Sequence, residues 1–304
     1  MQRIAGASFE IPCNKTKVGA DRMPNKSSNR CSNLRTFLRR IGTSVIIVTV
    51  VGGAVAAPPA EPVGLVTELA GVGNVRQKPD GGPLEPLREL VPGAVVSLAG
   101  AARATIVHTP TGTVYELAGP GRFQVQARSI EPLNGAKLSK RGLPPELRAF
   151  QLKPLSTMQA SIVMRGAAPL RLEGPNGGVL ATDELIYRVR GNLTVQTVEV
   201  IDPESSDAWP ISNTGASLVV GTSVPVRPGR PYTVVVKGTD ARGKLTQLSS
   251  RFWLIDADAA SRLQAARPAE SAPLTDLIVY AMAVETAGAT ATARTAWNTI
   301  NRRR

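Results

Sequence analysis

The sequence predicts a mainly β protein: two antiparallel β-sandwich-like domains followed by a short C-terminal helical hairpin. Three observations predict it. From Val63 onward, apolar residues alternate in short runs, each about a strand long and each ended by glycine or proline. The runs succeed one another without helical periodicity between them, which favours antiparallel sheets over alternating strands and helices. After Asp256 the apolar spacing changes to three and four residues, the period of an amphipathic helix. A chain of 304 residues has room for more than one core. The expected boundaries are a basic region and leader over 1–57, a first β domain over 62–130, a connector over 131–160, a second β domain over 161–255 and a helical region over 256–304.

The leader is the stretch RTFLRRIGTSVIIVTVVGGAVAAPPAE, Arg35 to Glu61. A basic flank, an apolar run and a small-residue Ala54-Val55-Ala56 ending form the three parts of a secretory signal peptide, with cleavage expected after Ala56 or Ala57. The rival reading is a single transmembrane segment, but the 17 residues from Ile41 to Ala57 are at the short limit and are diluted by Gly42, Thr43, Ser44, Gly52 and Gly53. Met23 as the start would shorten the basic flank. The expected location is the periplasm or cell envelope, with a single-pass inner-membrane protein as the alternative.

The formal net charge of +13 suggests a nucleic-acid or membrane partner until the charges are located. Residues 1–40 hold nine Lys and Arg against Glu10 and Asp21, and Arg302 to Arg304 end the chain. The residues between are close to balanced, with 24 bases and 21 acids, and aromatic residues make up only 4%. No basic surface interleaved with stacking rings is expected, so nucleic acid is excluded as a partner. Both cysteines, Cys13 and Cys31, precede the apolar run, and His108 is the only histidine. A mature chain without cysteine and without a histidine pair predicts no disulfide framework, metal site or cofactor.

In the first β domain the runs GLVTELAGVGNVRQ, GAVVSLAG, ARATIVHT, GTVYELAG and GRFQVQA read as strands. Alternation places Val114, Glu116 and Ala118 on one side, and Tyr115 and Leu117 on the other. Gly119-Pro120-Gly121 raises the question of a phosphate loop. Such a loop hands its N–H groups to a helix N-terminus, usually with a Lys following, whereas Arg122-Phe123-Gln124-Val125 reads as strand. The tripeptide is expected to redirect one strand into the next.

Leu90, Pro92, Gly93, Val95, Ala104, Ile106, Gly112, Leu117, Gly119, Pro120, Gly121, Phe123 and Val125 together give the stretch Leu87 to Val125 a pattern that resembles the FecR-like domain of bacterial envelope proteins. The upstream GLVTELAGVGNV is similar to that family's opening strand. Leu98-Ala99-Gly100 replaces the Thr often found after the second strand, and Pro110-Thr111-Gly112 stands where an Asp-Gly turn is usual. The resemblance implies an exported all-β interaction module without catalysis. In FecR regulators a cytosolic helical region binds a sigma factor, and the short basic region here is too small for such a module.

Residues 131–160 hold Pro132, Pro144, Pro145 and Pro154 with Lys137, Lys140 and Arg141, and read as a solvated connector. Strand patterns return in SIVMRG, PLRLEGP, LIYRVRG, TVQTVEVID, ASLVVG, YTVVVKGTDARGK and SSRFWLID. Val224 to Asp256 resembles the end of a fibronectin type III-like sandwich, through Pro228-Gly229, Tyr232-Val234-Val236, the Asp240-Ala241-Arg242-Gly243 hairpin and Phe252. Tyr232 and Trp253 are expected in the core or at its rim. Asp256 can cap a short helix and Ser271 another, with Leu274, Leu277, Ile278, Ala281, Met282 and Val284 on one stripe and Ala293, Ala296, Trp297 and Ile300 on a second. This hairpin resembles a tetratricopeptide-type unit, which implies packing on the preceding sandwich or on a partner.

Candidate chemistry is sparse. His108 lies in an alternating run and reads as a half-buried strand residue rather than a general base. The acid pairs Asp202 with Glu204 and Asp256 with Asp258 fit a turn and a helix start. No catalytic, cofactor-binding or metal residue is expected. The functional expectation is a non-enzymatic exported cell-envelope module, an interaction or scaffold protein that binds an envelope protein or a polymer. The alternatives are a transmembrane FecR-type signalling regulator and a cell-wall polysaccharide-binding protein.

Overall fold

The computed structural model describes residues 60–78, 81–158, 170–211, 218–220 and 224–303. The leader, with Ala56 and Ala57, lies outside the described residues. Among the described residues no helix is long and apolar enough to cross a membrane. The protein is mainly β, with antiparallel sheets and a helical pair at its end.

The first sandwich comprises β1 (Gly64–Ala70), β2 (Gly73–Arg76), β3 (Gly82–Pro83), β4 (Glu89–Leu90), β5 (Val95–Leu98), β6 (Arg103–His108), β7 (Thr113–Ala118), β8 (Gly121–Val125), β9 (Ile130–Pro132) and β10 (Lys137–Gly142). They form two five-stranded sheets, β10-β7-β6-β1-β4 and β3-β2-β5-β8-β9. Val66, Val96, Ile106, Tyr115, Leu117, Phe123 and Val125 fill the space between the sheets. As the alternation predicts, Tyr115 and Leu117 point into this core, while Val114 points out of it.

The chain crosses between the sheets at Leu69-Ala70-Gly71, Leu98-Ala99-Gly100 and Leu117-Ala118-Gly119, so one tripeptide recurs at three corners. Small residues are needed because the corners rest on one another. Gly119 N–H donates to Ala102 O at 2.8 Å, and Ala99 N–H to Val72 O at 3.1 Å. A Cβ on Gly119 would lie 2.9 Å from Gly100 O. Gly119-Pro120-Gly121 therefore carries the chain from β7 in one sheet to β8 in the other, as a strand connection.

Within residues 131–160, expected as a connector, the described residues 131–158 carry structure of their own. β10 pairs along all of β7, from Lys137 opposite Ala118 to Gly142 opposite Thr113. Its side chains are mostly exposed, so the pairing rests on the backbone, and its charges suit an edge strand. The prolines bound short elements rather than a spacer: Pro144 precedes the one-turn helix α1 (Pro145–Arg148). Leu143, Leu147 and Leu152 enter a core shared with the C-terminal helices.

The second sandwich comprises β11 (Arg171–Glu173), β12 (Gly177–Val179), β13 (Ile186–Arg190), β14 (Leu193–Ile201), β15 (Ala208–Pro210), β16 (Leu218–Val219), β17 (Tyr232–Asp240) and β18 (Leu245–Leu254). A five-stranded sheet, β12-β18-β17-β14-β15, faces a three-stranded one, β11-β13-β16. Tyr187, Val200, Tyr232, Val234 and Phe252 are buried between them, and the rings of Tyr232 and Phe252 stack at 5.7 Å. The β17–β18 hairpin turns as expected: Asp240 Oδ1 accepts from the N–H groups of Arg242 and Lys244, and Gly243 takes φ +76°.

Three helices follow: α2 (Ala257–Ala265), α3 (Leu274–Thr286) and α4 (Thr290–Arg303). Asp256 caps α2, accepting from the N–H groups of Asp258 and Ala259. Ser271 does not cap α3, which starts behind Pro273 and has no side-chain cap of its own. Residues 278–284 are all buried, so α3 is enclosed rather than amphipathic. It packs on the outer face of β1 and β6 through Leu65 and Val107, and against Leu263 of α2 and Ile300 of α4. α4 runs beside β12. The hairpin thus joins both sandwiches.

Candidate functional site

Two junctions hold the hairpin, and a cleft opens beside the second. The first is at β1, where a bulge between Val66 and Glu68 leaves Thr67 without a partner in the register. The bulge changes which side chains face out: Glu68 turns toward the helix and Leu69 toward the sandwich core. Glu68 Oε1 accepts from the Thr275 N–H and hydroxyl, each at 2.9 Å, and the Thr67 and Thr275 hydroxyls meet at 2.7 Å. A carboxylate from β1 therefore takes an open N–H at the positive end of α3. Arg141 of β10 adds a 2.6 Å ion pair to Asp276.

The second junction is at β12. Gly178 passes so close to the α3–α4 turn that a Cβ there would strike Gly288 O and lie 2.9 Å from Trp253 Nε1. Gly178 N–H donates to Thr290 Oγ1 at 3.3 Å. Thr292 of α4 donates its hydroxyl to Glu184 Oε2, and Trp297 Nε1 donates to Glu285 at 3.0 Å.

A cleft of about 550 Å³ opens between this second junction and the segment that follows α2. Val179 and Ile186 line it from the sandwich, Leu277 and Tyr280 from α3, Ala291, Thr292, Arg294 and Asn298 from α4, and Arg267 from the α2–α3 connection. Its lining is mixed, with apolar walls and a few convergent polar groups, as in binding sites for small ligands. Tyr280 is 5% exposed, and its hydroxyl has no hydrogen-bond partner among the described residues. Burial raises its pKa, Arg267 opposes the rise and Glu184 adds to it, so the phenol stays protonated at neutral pH. Burial also pushes the Glu184 carboxyl above its ordinary range, against the hydrogen bonds from Thr292 and the Leu180 N–H.

The residues singled out in the sequence are not brought together. His108 is fully buried rather than half-buried: its Nδ1 meets Thr111 Oγ1 at 2.8 Å and its Nε2 meets Gln126 O at 3.1 Å. Burial lowers its pKa, and the bond to the Gln126 carbonyl offsets this only in part. Asp202 is buried in a turn, where it accepts from the Glu204 N–H and pairs with Arg230 at 2.7 Å. Burial opposes its ionisation, but these partners outweigh it and lower its pKa. Lys137, Lys140 and Arg141 lie on β10, Tyr232 lies in the second core, and Trp253 is partly buried. Among the described residues no group of three or more His, Cys, Asp or Glu could hold a metal.

Glu68, Glu184 and Tyr280 went unnoticed in the sequence. Tyr280 alone left a trace, as a hydroxyl inside the apolar run from Leu277 to Val284. No family model, curated protein or solved structure matches the chain.

Proposed function

We propose that the protein is a non-enzymatic module of the cell envelope, exported through its leader, that binds an envelope protein or a polymer. The observation that carries this reading is the hairpin held between two sandwiches by junctions at Glu68 and Gly178, with a cleft beside the second junction that keeps unused hydrogen-bonding groups. A scaffold tied at two points presents such a cleft in one fixed geometry, which reduces the ordering cost of binding. The resemblance of Leu87 to Val125 to FecR-like domains, and of the leader to a signal peptide, point the same way.

The test has two stages. Cells making the protein with a C-terminal tag are fractionated and its amino terminus is determined by mass spectrometry. A periplasmic species beginning near Ala57 or Pro58 is expected, and an intact cytosolic species would overturn the export reading. In the second stage a crosslinked pull-down is compared with co-sedimentation on peptidoglycan. Retention of one stoichiometric protein supports the protein-binding form and sedimentation the polymer-binding form. Turnover of a glycan or peptide substrate by the purified protein would sink both.

A further inference from the structure

We propose that the cleft between the second sandwich and the helical hairpin binds an organic carboxylate with a small apolar body, held by Tyr280, Arg267 and Arg294. This rests on the reading of the protein as a binding module and gives its cleft a ligand chemistry.

The imbalance of donors and acceptors in the lining carries the proposal. Tyr280 lines the cleft, and its hydroxyl is buried without a partner among the described residues. Buried hydroxyls are almost always satisfied, so an orphan on a side chain that lines a cleft is a candidate contact for a group from outside. Arg267, Arg294 and Asn298 also line the cleft, and among the described residues none of their side chains makes a hydrogen bond or ion pair. The Glu184 and threonine acceptors beside them are engaged, while Glu270 and the Asn298 amide oxygen make no hydrogen bond among the described residues. Glu184 takes the Thr292 hydroxyl, while the Thr295 and Thr299 hydroxyls bond to helix carbonyls and Thr299 also accepts from Arg302.

A ligand completing this site must bring acceptors. A carboxylate offers four lone-pair directions and fits the planar fork of an arginine. The walls select further: Val179, Leu277 and Ala291 give an inorganic anion nothing, but they would cover a short aliphatic chain. Two carboxylates on the lining oppose an anion: Glu270 from an exposed position, where water screens it, and Glu184, whose charge is set against that of Arg267. The ligand's carboxylate could belong to a free small acid or to the end of a partner polypeptide, and both present the same group to the cleft.

The experiment is a calorimetric titration of the full chain with hexanoate, hexanamide, and acetyl-Ala-Ala-Leu with a free or an amidated carboxyl end. Hexanoate is expected to bind saturably and hexanamide at least about tenfold more weakly. Tyr280→Phe, which removes only the orphan hydroxyl, and Arg294→Gln, on the exposed side of α4, are each expected to weaken hexanoate about tenfold. Tighter binding of the free-acid peptide than of hexanoate supports a polypeptide end as the source, and the reverse order supports a small acid. Equal binding of acid and amide, no saturable binding of either acid, or affinity unchanged in both variants would overturn the proposal. If the acids fail to bind while the pull-down still retains one stoichiometric partner, the cleft assignment falls and the module reading stands.

Discussion

His108 is the only histidine in the chain, so it is the side chain expected to gain charge as the medium turns mildly acidic. In the fold it is buried, with Thr111 and Gln126 on its two nitrogens and the Tyr115 ring edge-on at 6.3 Å. Its folded pKa is lowered, so below about 6.5 the unfolded chain binds this proton more readily than the folded one. The contribution of the neutral ring is complete above that pH and is lost as the pH falls, by up to about 1.4 kcal/mol per pH unit for one proton. Glu184 acts in the opposite sense: its folded pKa is raised, so its burial becomes less costly as the pH falls. Urea unfolding from pH 7.5 to 5 separates the two when wild type is compared with His108→Gln, whose amide can keep both hydrogen bonds. The variant is expected to lose the downward slope below about 6.5, and an unchanged slope would show that His108 is not its source. Tyr280→Phe has its own expected sign here: deleting an unpaired buried hydroxyl leaves stability unchanged or raises it by about 1 kcal/mol, read as a shift in the urea midpoint.

At the scale of elements, the two ends of α3 and the edge of a sheet show what a sequence can and cannot display. β7, β8 and β17 each bury one face, so their alternation is written in the residues themselves. β10 buries almost nothing, and Lys137-Leu138-Ser139-Lys140-Arg141-Gly142 pairs through its backbone, which no side-chain pattern records. The bulge at Thr67 is equally silent, because one unpaired residue has no compositional mark, yet it turns Glu68 onto α3. The cleft was hidden for a further reason, since Glu184 and Tyr280 meet only through the packing of α3 and α4 on β12. The bulge makes a prediction. Glu68→Ala should cost about 2 kcal/mol, the sum of a lost cap and an N–H left open at a half-buried helix end. Glu68→Gln, which keeps an acceptor but loses the charge, should cost less. Arg141→Gln breaks an ion pair whose members are 40% and 34% exposed, and should cost no more than about 1 kcal/mol. Thermal unfolding of the three variants gives the order, and equal losses at Glu68 and Arg141 would count against the cap.

For the whole molecule the question is whether two sandwiches with separate cores unfold as one. Between Val66 and Phe123 on one side and Val234 and Phe252 on the other lies a third core, built from Leu147, Leu263, Ile278, Met282 and Ile300. It borrows Leu65 and Val107 from the first sandwich and is continuous with Leu180 and Ile255 at the end of the second. Unfolding either sandwich would strip apolar cover from this middle core, so the wild type is expected to melt in one transition with matching calorimetric and van't Hoff enthalpies. The coupling to the second sandwich runs through Gly178, which has no room for a side chain against Gly288 and Trp253. Gly178→Val forces the α3–α4 turn away from β12, while Glu68 still holds the start of α3 on β1. Differential scanning calorimetry of this variant should then show two transitions, the lower belonging to the second sandwich and the upper to the first with α3 attached. Because the cleft lies on the side that opens, its affinity for hexanoate should fall with the lower transition. A single transition at the wild-type temperature would mean that the hairpin does not couple the two sandwiches through β12, and that the cleft's fixed geometry has another origin.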